Sequence, residues 1–148
     1  MILGVGIDIC RVGRIRRSVH RLGEPWLAEV LTEYERAHIH EDEDKGLSAA
    51  MHFSLKESCS KAIGTGFSNG VRWHDFEISQ IYERPGVRLS GRALQVGSRM
   101  CPPGQHHWFQ LDVKFSRDWV RSTAIFHAGD SARVDLSMLD VPGIALGS

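Results

Sequence analysis

Two carboxylates and a lysine are the residues of this sequence that could form a catalytic or ligand-binding site. Asp8 ends the run Gly4–Asp8, in which glycines alternate with apolar residues. Glu57 and Lys61 are four residues apart, which is about one helical turn, and the run Gly64–Gly66 follows them. Carboxylates and lysines can transfer protons or hold charged ligands, so these side chains are the first candidates for chemistry.

Each of these features also has a purely structural explanation. Asp8 could cap the helix that follows it, and Glu57 and Lys61 could form an exposed ion pair worth a few tenths of a kcal/mol. Gly64 could simply end a helix. Taken singly, the residues favour the structural explanation, because most carboxylates in proteins are not catalytic.

Other patterns give weaker candidates. His38 and His40, and likewise His106 and His107, could bind a metal, but no third ligand stands at the spacing of a zinc site. The sequence also contains no Walker loop and no H-E-x-x-H motif. These histidines are therefore interpreted as exposed or packed side chains.

The elements before and around the candidates follow from apolar periodicity. Residues 2–9 predict a strand with Leu3, Val5, Ile7 and Ile9 on a core face and the glycines and Asp8 on the other. The glycine face leaves room for a ligand or a neighbouring backbone. The spacing of Val12, Ile15, Val19 and Leu22 predicts a helix. Residues 48–63 predict the longest helix, which carries Glu57 and Lys61.

The rest of the chain predicts short helices and strands in mixed order. Pro25 favours a second short helix, and Thr32 with Glu35 forms a capping box that opens a third. Further patterns predict strands at 76–79, 87–89, 109–115 and 120–127, and a helix from about residue 92. This order indicates an α+β fold with one domain over 1–127, while 128–148 form an extension of unknown role.

Composition excludes several classes. The chain has 148 residues, of which 42% are hydrophobic and 24% charged, as expected for one globular domain. No apolar stretch approaches the roughly 20 residues that span a bilayer, and three scattered cysteines favour a reducing cytoplasm. Lys plus Arg equal Asp plus Glu at 18 each, so nothing global favours nucleic acid or membrane as a partner. Locally, residues 9–23 contain arginines but no acidic residue.

Several motifs occur together in a recognisable order. The Gly4–Ile9 strand, Arg14-Ile15 and the run Phe53–Gly66 resemble the holo-acyl-carrier-protein synthase group of 4′-phosphopantetheinyl transferases. Further matches are Leu31-Thr32 with Glu35, Asn69-Gly70-Val71, Arg84-Pro85, and Leu89 with Gly91. The resemblance covers roughly residues 1–127, and the joint pattern is far more specific than any single motif.

The resemblance implies a 4′-phosphopantetheinyl transferase-like fold, in which an antiparallel sheet packs against a long helix. It also implies a reaction and a site. Phosphopantetheine would move from coenzyme A to a serine of an acyl carrier protein, with Mg²⁺ required and adenosine 3′,5′-bisphosphate released. Asp8 and Glu57 would hold the metal, and Asp8, Glu57 and Lys61 would be the catalytic residues, with Glu57 and Lys61 both candidates for the base. The implied cofactor-binding residues are Lys56, Lys61, Gly64, Thr65, Gly66, Arg84 and Pro85.

The resemblance also implies partners. Arg14, Arg17 and Arg21 would bind an acidic carrier protein, and a homo-oligomer, by resemblance a trimer, is expected because the chain has only one half of the fused twin-domain members. His52 and Phe115 depart from the family pattern, where an arginine and a histidine are common. A catalytically silent relative, or a module whose basic helix binds an acidic partner or nucleic acid, remains the alternative.

Overall fold

The protein folds as an antiparallel sheet covered on one face by helices. The computed structural model describes residues 1–130 and 144–145. Its elements are β1 (Ile2–Arg11), α1 (Val12–Leu22), α2 (Glu24–Val30), α3 (Glu33–Ile39), α4 (Lys45–Ala62), β2 (Phe76–Ser79), β3 (Gly86–Leu89), α5 (Gly91–Met100), β4 (His106–Phe115), β5 (Trp119–Gly129) and β6 (Ile144–Ala145). Neighbouring strands in the order β1-β5-β4-β6 are antiparallel, and β2 and β3 form a separate hairpin. The predicted α+β class is confirmed.

Local signals in the sequence set the helix ends. The predicted capping box is present: Glu35 N donates to Thr32 Oγ1 at 3.3 Å, and Thr32 N donates to Glu35 Oε2 at 2.8 Å. The Asp44 carboxylate accepts from Leu47 N at 3.0 Å, so α4 begins three residues before the predicted start at 48. No helix in the described part of the chain is both long and apolar enough to cross a membrane.

The face of β1 predicted to be core points outward, and that prediction was wrong. Val5, Ile7 and Ile9 are 53%, 56% and 62% exposed. The glycine face is the buried one, because α4 lies directly on it. A period of two identifies residues that share a face, but it does not say which face a neighbouring element covers.

Two glycines let α4 approach β1 at backbone distance. A Cβ built on Gly4 would lie 1.9 Å from Ala62 O, and one on Gly6 would lie 1.9 Å from Ser58 O. Such distances are far inside van der Waals contact, so only glycine fits at either position. The space cleared on β1 is therefore filled by the α4 backbone and not by a ligand.

Hydrogen bonds fasten α4 to the neighbouring strand β5. Ser54 Oγ lies 2.8 Å from Ser122 Oγ, and Ser122 Oγ donates to the Ser54 carbonyl at 2.7 Å. Both serines are fully buried. The helix is thus fixed on the sheet from two sides, by close packing on β1 and by hydrogen bonds to β5.

The sheet extends past the predicted domain boundary. Strand β5 continues to Gly129, two residues beyond 127, and Ile144–Ala145 pair with the free edge of β4 opposite Gln110 and Phe109. The division into a domain at 1–127 and an extension at 128–148 stays a prediction, since residues 131–143 and 146–148 lie outside the described residues.

Replacing Gly6 by alanine tests the close packing. Gly6→Ala should lower the free energy of unfolding by about 1–3 kcal/mol or more, because the new methyl must displace the α4 backbone. Gly13→Ala is the matched control, since its Cβ would meet nothing closer than 3.7 Å. That change should be neutral or stabilise α1 by up to about 1 kcal/mol. Equal denaturant midpoints for the two variants would contradict the packing argument.

Candidate active site

Asp8, near the end of β1, and Lys61, in the last turn of α4, are in direct contact. Lys61 Nζ donates to Asp8 Oδ1 at 2.9 Å and to the Ile7 carbonyl at 3.1 Å. The Asp8 side chain is only 12% exposed, whereas that of Lys61 is 45% exposed. Asp8 Oδ2 is buried without a hydrogen-bond partner among the described residues. A buried carboxylate oxygen without a partner is costly and suits a bound cation.

Glu57 lies beside this pair on α4. Burial raises the pKa of the Glu57 carboxyl, and the negative charge of Asp8 raises it further, while Lys61 and Arg14 act in the opposite direction. Asp8 and Glu57 are therefore close enough to repel each other. A cation between them would relieve that repulsion.

The donor set determines which cation would fit. Residues 1–130 hold no group of three or more His, Cys, Asp or Glu side chains arranged to bind a metal. An ion at Asp8 and Glu57 would therefore have few protein ligands and keep positions for water and substrate oxygens. That arrangement fits Mg²⁺, which is commonly held by one or two carboxylates together with waters and phosphates, and does not fit a closed structural zinc site.

Two further side chains belong to this site. Burial and the nearby Asp8 raise the pKa of the Cys10 thiol to about 11, so Cys10 is a neutral wall of the site. No pattern in the sequence indicated that Cys10 would lie here. The positive charge of Arg14 partly offsets the rise in the pKa of both Cys10 and Glu57. The Arg14 guanidinium lies 5.9 Å from the centre of the Phe53 ring. Arg14 therefore adjoins the carboxylates, whereas Arg17 and Arg21 are exposed further along α1.

Lys56 does not belong to this site. Its side chain is fully buried, and its ammonium group donates to Glu35, to the Val30 carbonyl and to the Trp73 carbonyl. These partners lie on the side of α4 turned away from Asp8. The Lys56 side chain therefore has no exposed surface with which to contact a cofactor. The expectation that Lys56 contacts coenzyme A is therefore corrected, because adjacent residues on a helix point about 100° apart.

The other predicted cofactor residues lie on two loops. Gly64 and Gly66 have φ values of 77° and 54°, and open space surrounds the Cβ position of each. Their backbone follows Lys61 directly, as predicted, and glycine is the residue that tolerates this conformation. Arg84 and Pro85 form the turn between β2 and β3, and their contact with a cofactor stays a prediction.

The two departures from the family pattern occupy different environments. His52 is only 5% exposed, and its Nδ1 lies 2.9 Å from the Ser48 carbonyl. Burial lowers the pKa of His52, so the ring is neutral and has no charge to offer a phosphate. Phe115 is 49% exposed at the end of β4, where its ring lies 6.3 Å from that of Tyr82.

Sequence reasoning missed a row of aromatic side chains beside the site. Successive ring centres are 6.4, 5.0 and 3.7 Å apart. The aromatic row consists, in spatial order, of Trp26, Phe53, Trp73 and Phe67. All four rings are half-buried, and Phe53 stands one helical turn before Glu57. The residues come from four separate segments, so no periodicity in the sequence could have predicted their contact.

The fold and site define a known class. Residues 4–124 match the family model of the 4′-phosphopantetheinyl transferase superfamily, to which the chain belongs. Within it the relatives are holo-[acyl-carrier-protein] synthases. The one from Methylorubrum populi is 44% identical over 105 residues, covering 70% of this chain and 77% of that protein. The one from Vibrio campbellii is 38% identical over 128 residues, covering 86% and 98%. The resemblance found in the sequence is confirmed.

Solved structures show the same fold. The holo-[acyl-carrier-protein] synthase from Neisseria meningitidis superposes with a TM-score of 0.73 at 24% identity, covering 86% of this chain and 99% of that one. The enzyme from Helicobacter pylori, solved in complex with coenzyme A, gives a TM-score of 0.68 at 24% identity and covers 83% and 99%. The predicted antiparallel sheet against a long helix is thus the fold of this group.

Proposed function

We propose that the chain transfers 4′-phosphopantetheine from coenzyme A to a serine of an apo acyl carrier protein. The observation that carries this is the cluster at the end of β1: two mutually repelling carboxylates, one with a buried unpartnered oxygen, beside the ammonium of Lys61. Phosphoryl transfer needs positioning and charge neutralisation more than covalent help from the protein, and this cluster can supply both. The name shared by the relatives supports the same substrates.

Lys61 and Glu57 would have different roles in the transfer. The serine oxygen forms a bond to the phosphorus on the pantetheine side, and the bond from that phosphorus to adenosine 3′,5′-bisphosphate breaks. Lys61, half-exposed and adjacent to Asp8, places a positive charge where the phosphates would lie. The serine proton goes either to the Glu57 carboxylate or to Lys61 in its neutral amine form.

Asp8 and Glu57 would hold a Mg²⁺ ion. The unpartnered Asp8 Oδ2 and the shared negative charge of the two carboxylates support this assignment. When bound, the ion would neutralise charge on the phosphate oxygens of coenzyme A. We place the reaction in the cytoplasm, where the thiols of Cys10 and Cys59 would stay reduced.

The proposed function has a direct assay. Purified chain, apo acyl carrier protein, coenzyme A and Mg²⁺ are mixed, and the intact mass of the carrier is followed with time. The carrier should gain the mass of one phosphopantetheine group, and a carrier whose serine is replaced by alanine should gain nothing. No mass gain with several bacterial carriers would favour a catalytically silent relative.

Basic and aromatic side chains together form a proposed carrier-binding surface. Arg14, Arg17 and Arg21 line α1, and Arg14 joins them to the aromatic row through Phe53. Carrier proteins are generally acidic around their serine, so the arginines would speed the encounter and the rings would be covered on binding. We define the carrier-binding surface as these three arginines together with the aromatic row.

Reversing one charge tests this surface. Arg17→Glu should raise KM for the carrier about tenfold or more at low salt, with KM for coenzyme A unchanged, because Arg17 lies away from the carboxylates. Arg99→Glu, on the exposed side of α5, is the matched control and should change neither constant. Equal increases in both KM values for Arg17→Glu would refute a role in carrier binding.

Replacing the carboxylates by amides tests the metal assignment. Asp8→Asn and Glu57→Gln keep nearly the same shape but remove one charge each, so each should lower turnover at least about tenfold and raise the Mg²⁺ concentration for half-maximal rate. Thermal melts should hardly change. Wild-type rates at limiting Mg²⁺ in either variant would remove that residue from the site. A loss that no Mg²⁺ concentration restores would instead indicate a direct chemical role.

The outward face of β1 supports assembly into a homo-oligomer, by family resemblance a trimer. Val5, Ile7 and Ile9 are each more than half exposed, and a row of this kind usually marks an interface. Light scattering should show an oligomer for the wild type and a smaller species for Ile7→Arg, which buries a charge in any such interface. An active wild-type monomer at assay concentration would rule the assembly out.

A further inference from the structure

We propose that Lys56 is a positioning residue for the carrier-binding surface. Its ammonium holds the backbone carbonyls of Val30 and Trp73 against α4, and these carbonyls belong to the two segments that carry Trp26 and Trp73 of the aromatic row. The inference rests on the proposed function, since it assigns to Lys56 a step in carrier binding that the residue performs without touching the carrier.

The hydrogen bonds of Lys56 are completely used inside the protein. Nζ lies 2.7 Å from Glu35 Oε2, 2.8 Å from Val30 O and 3.2 Å from Trp73 O. An ammonium group has three N–H donors, and three acceptors are present. Both charged side chains are 0% exposed, so neither can exchange its partner for water.

Glu35 extends the network to two more segments. Its Oε1 accepts from Ile78 N at 2.6 Å, and its Oε2 also accepts from Thr32 N at 2.8 Å. The pair therefore joins α4 to the end of α2, the start of α3, β2 and the short 3₁₀ turn Trp73–Asp75, here called the Trp73 turn.

The geometry links this network to the aromatic row. Phe53 stands three residues before Lys56 on α4, and its ring lies between those of Trp26 and Trp73. Trp26 lies on α2, and Lys56 binds the carbonyl of Val30, the last residue of that helix. Lys56 also binds the backbone carbonyl of Trp73 itself. Lys56 thus sets the spacing of three rings on three segments from beneath the surface.

A buried ion pair is weak support for stability in itself. Removing one partner leaves an uncompensated charge, whereas replacing both by neutral groups is often tolerated. The pair is therefore better explained by the backbone carbonyls that it holds than by the attraction between its charges. This difference allows positioning to be separated from folding.

Two variants with the same neutral residue at position 35 make the comparison. In Glu35→Gln, Lys56 keeps N–H donors for Val30 O and Trp73 O even if it loses its proton, so KM for the carrier should stay within about twofold of wild type. In Lys56→Met with Glu35→Gln, both carbonyls lose their donor, and KM for the carrier should rise about tenfold or more. KM for coenzyme A and kcat at saturating carrier should stay within about twofold in both.

The readout separates positioning from a loss of folded protein, because KM does not depend on how much enzyme is active. Leu111→Ala, which destabilises the buried face of β4, is the control and should leave KM for the carrier unchanged. If the double variant does not fold, Lys56→Gln with Glu35→Gln replaces it. Gln is too short to reach both carbonyls, so it carries the same expectation.

Three results would overturn the proposal: an unchanged carrier KM in the double variant, an equal rise in the KM for coenzyme A, or an equal rise in carrier KM for Glu35→Gln alone. Absence of transfer by the wild-type chain is a different result. It would remove the proposed function and would be seen before any variant is made.

Discussion

The contact between β1 and α4 is the constraint on which the site depends. Gly4 and Gly6 allow the helix backbone to rest directly on the strand, and no side chain larger than hydrogen fits between them. At that distance Asp8 lies within hydrogen-bond reach of Lys61. Burial and the nearby Asp8 charge together raise the pKa of Glu57. A helix held a few ångströms further away would leave two separate surface carboxylates without shared chemistry.

The opposite side of α4 serves a different purpose. There Lys56 and Glu35 form a buried network that holds α2, α3 and the Trp73 turn, while the next residue, Glu57, faces Asp8 and Lys61. One helix therefore positions both the carboxylates proposed to react and the surface proposed to receive the carrier protein. Because successive residues point about 100° apart, two neighbours in the sequence take part in unrelated tasks.

The sequence predicted most of the helices and strands and the group Asp8, Glu57 and Lys61. These predictions rested on periodicity and capping residues within short segments, and on the order of the motifs along the chain. The orientation of β1 could not be predicted, because alternation does not identify the face that α4 covers. The burial of Lys56 and the aromatic row depend on contacts between distant segments, which leave no pattern in any one of them.

We propose that Asp8 and Glu57 together hold a cation beside the phosphates of coenzyme A. Crystals of the chain with coenzyme A and Mn²⁺ in place of Mg²⁺ would test it through the anomalous scattering of manganese. One Mn²⁺ peak is expected in contact with Asp8 Oδ2 and a Glu57 carboxylate oxygen, with a phosphate oxygen of coenzyme A as a further ligand. Bound coenzyme A with its metal ion away from both carboxylates would show that these residues do not hold the ion.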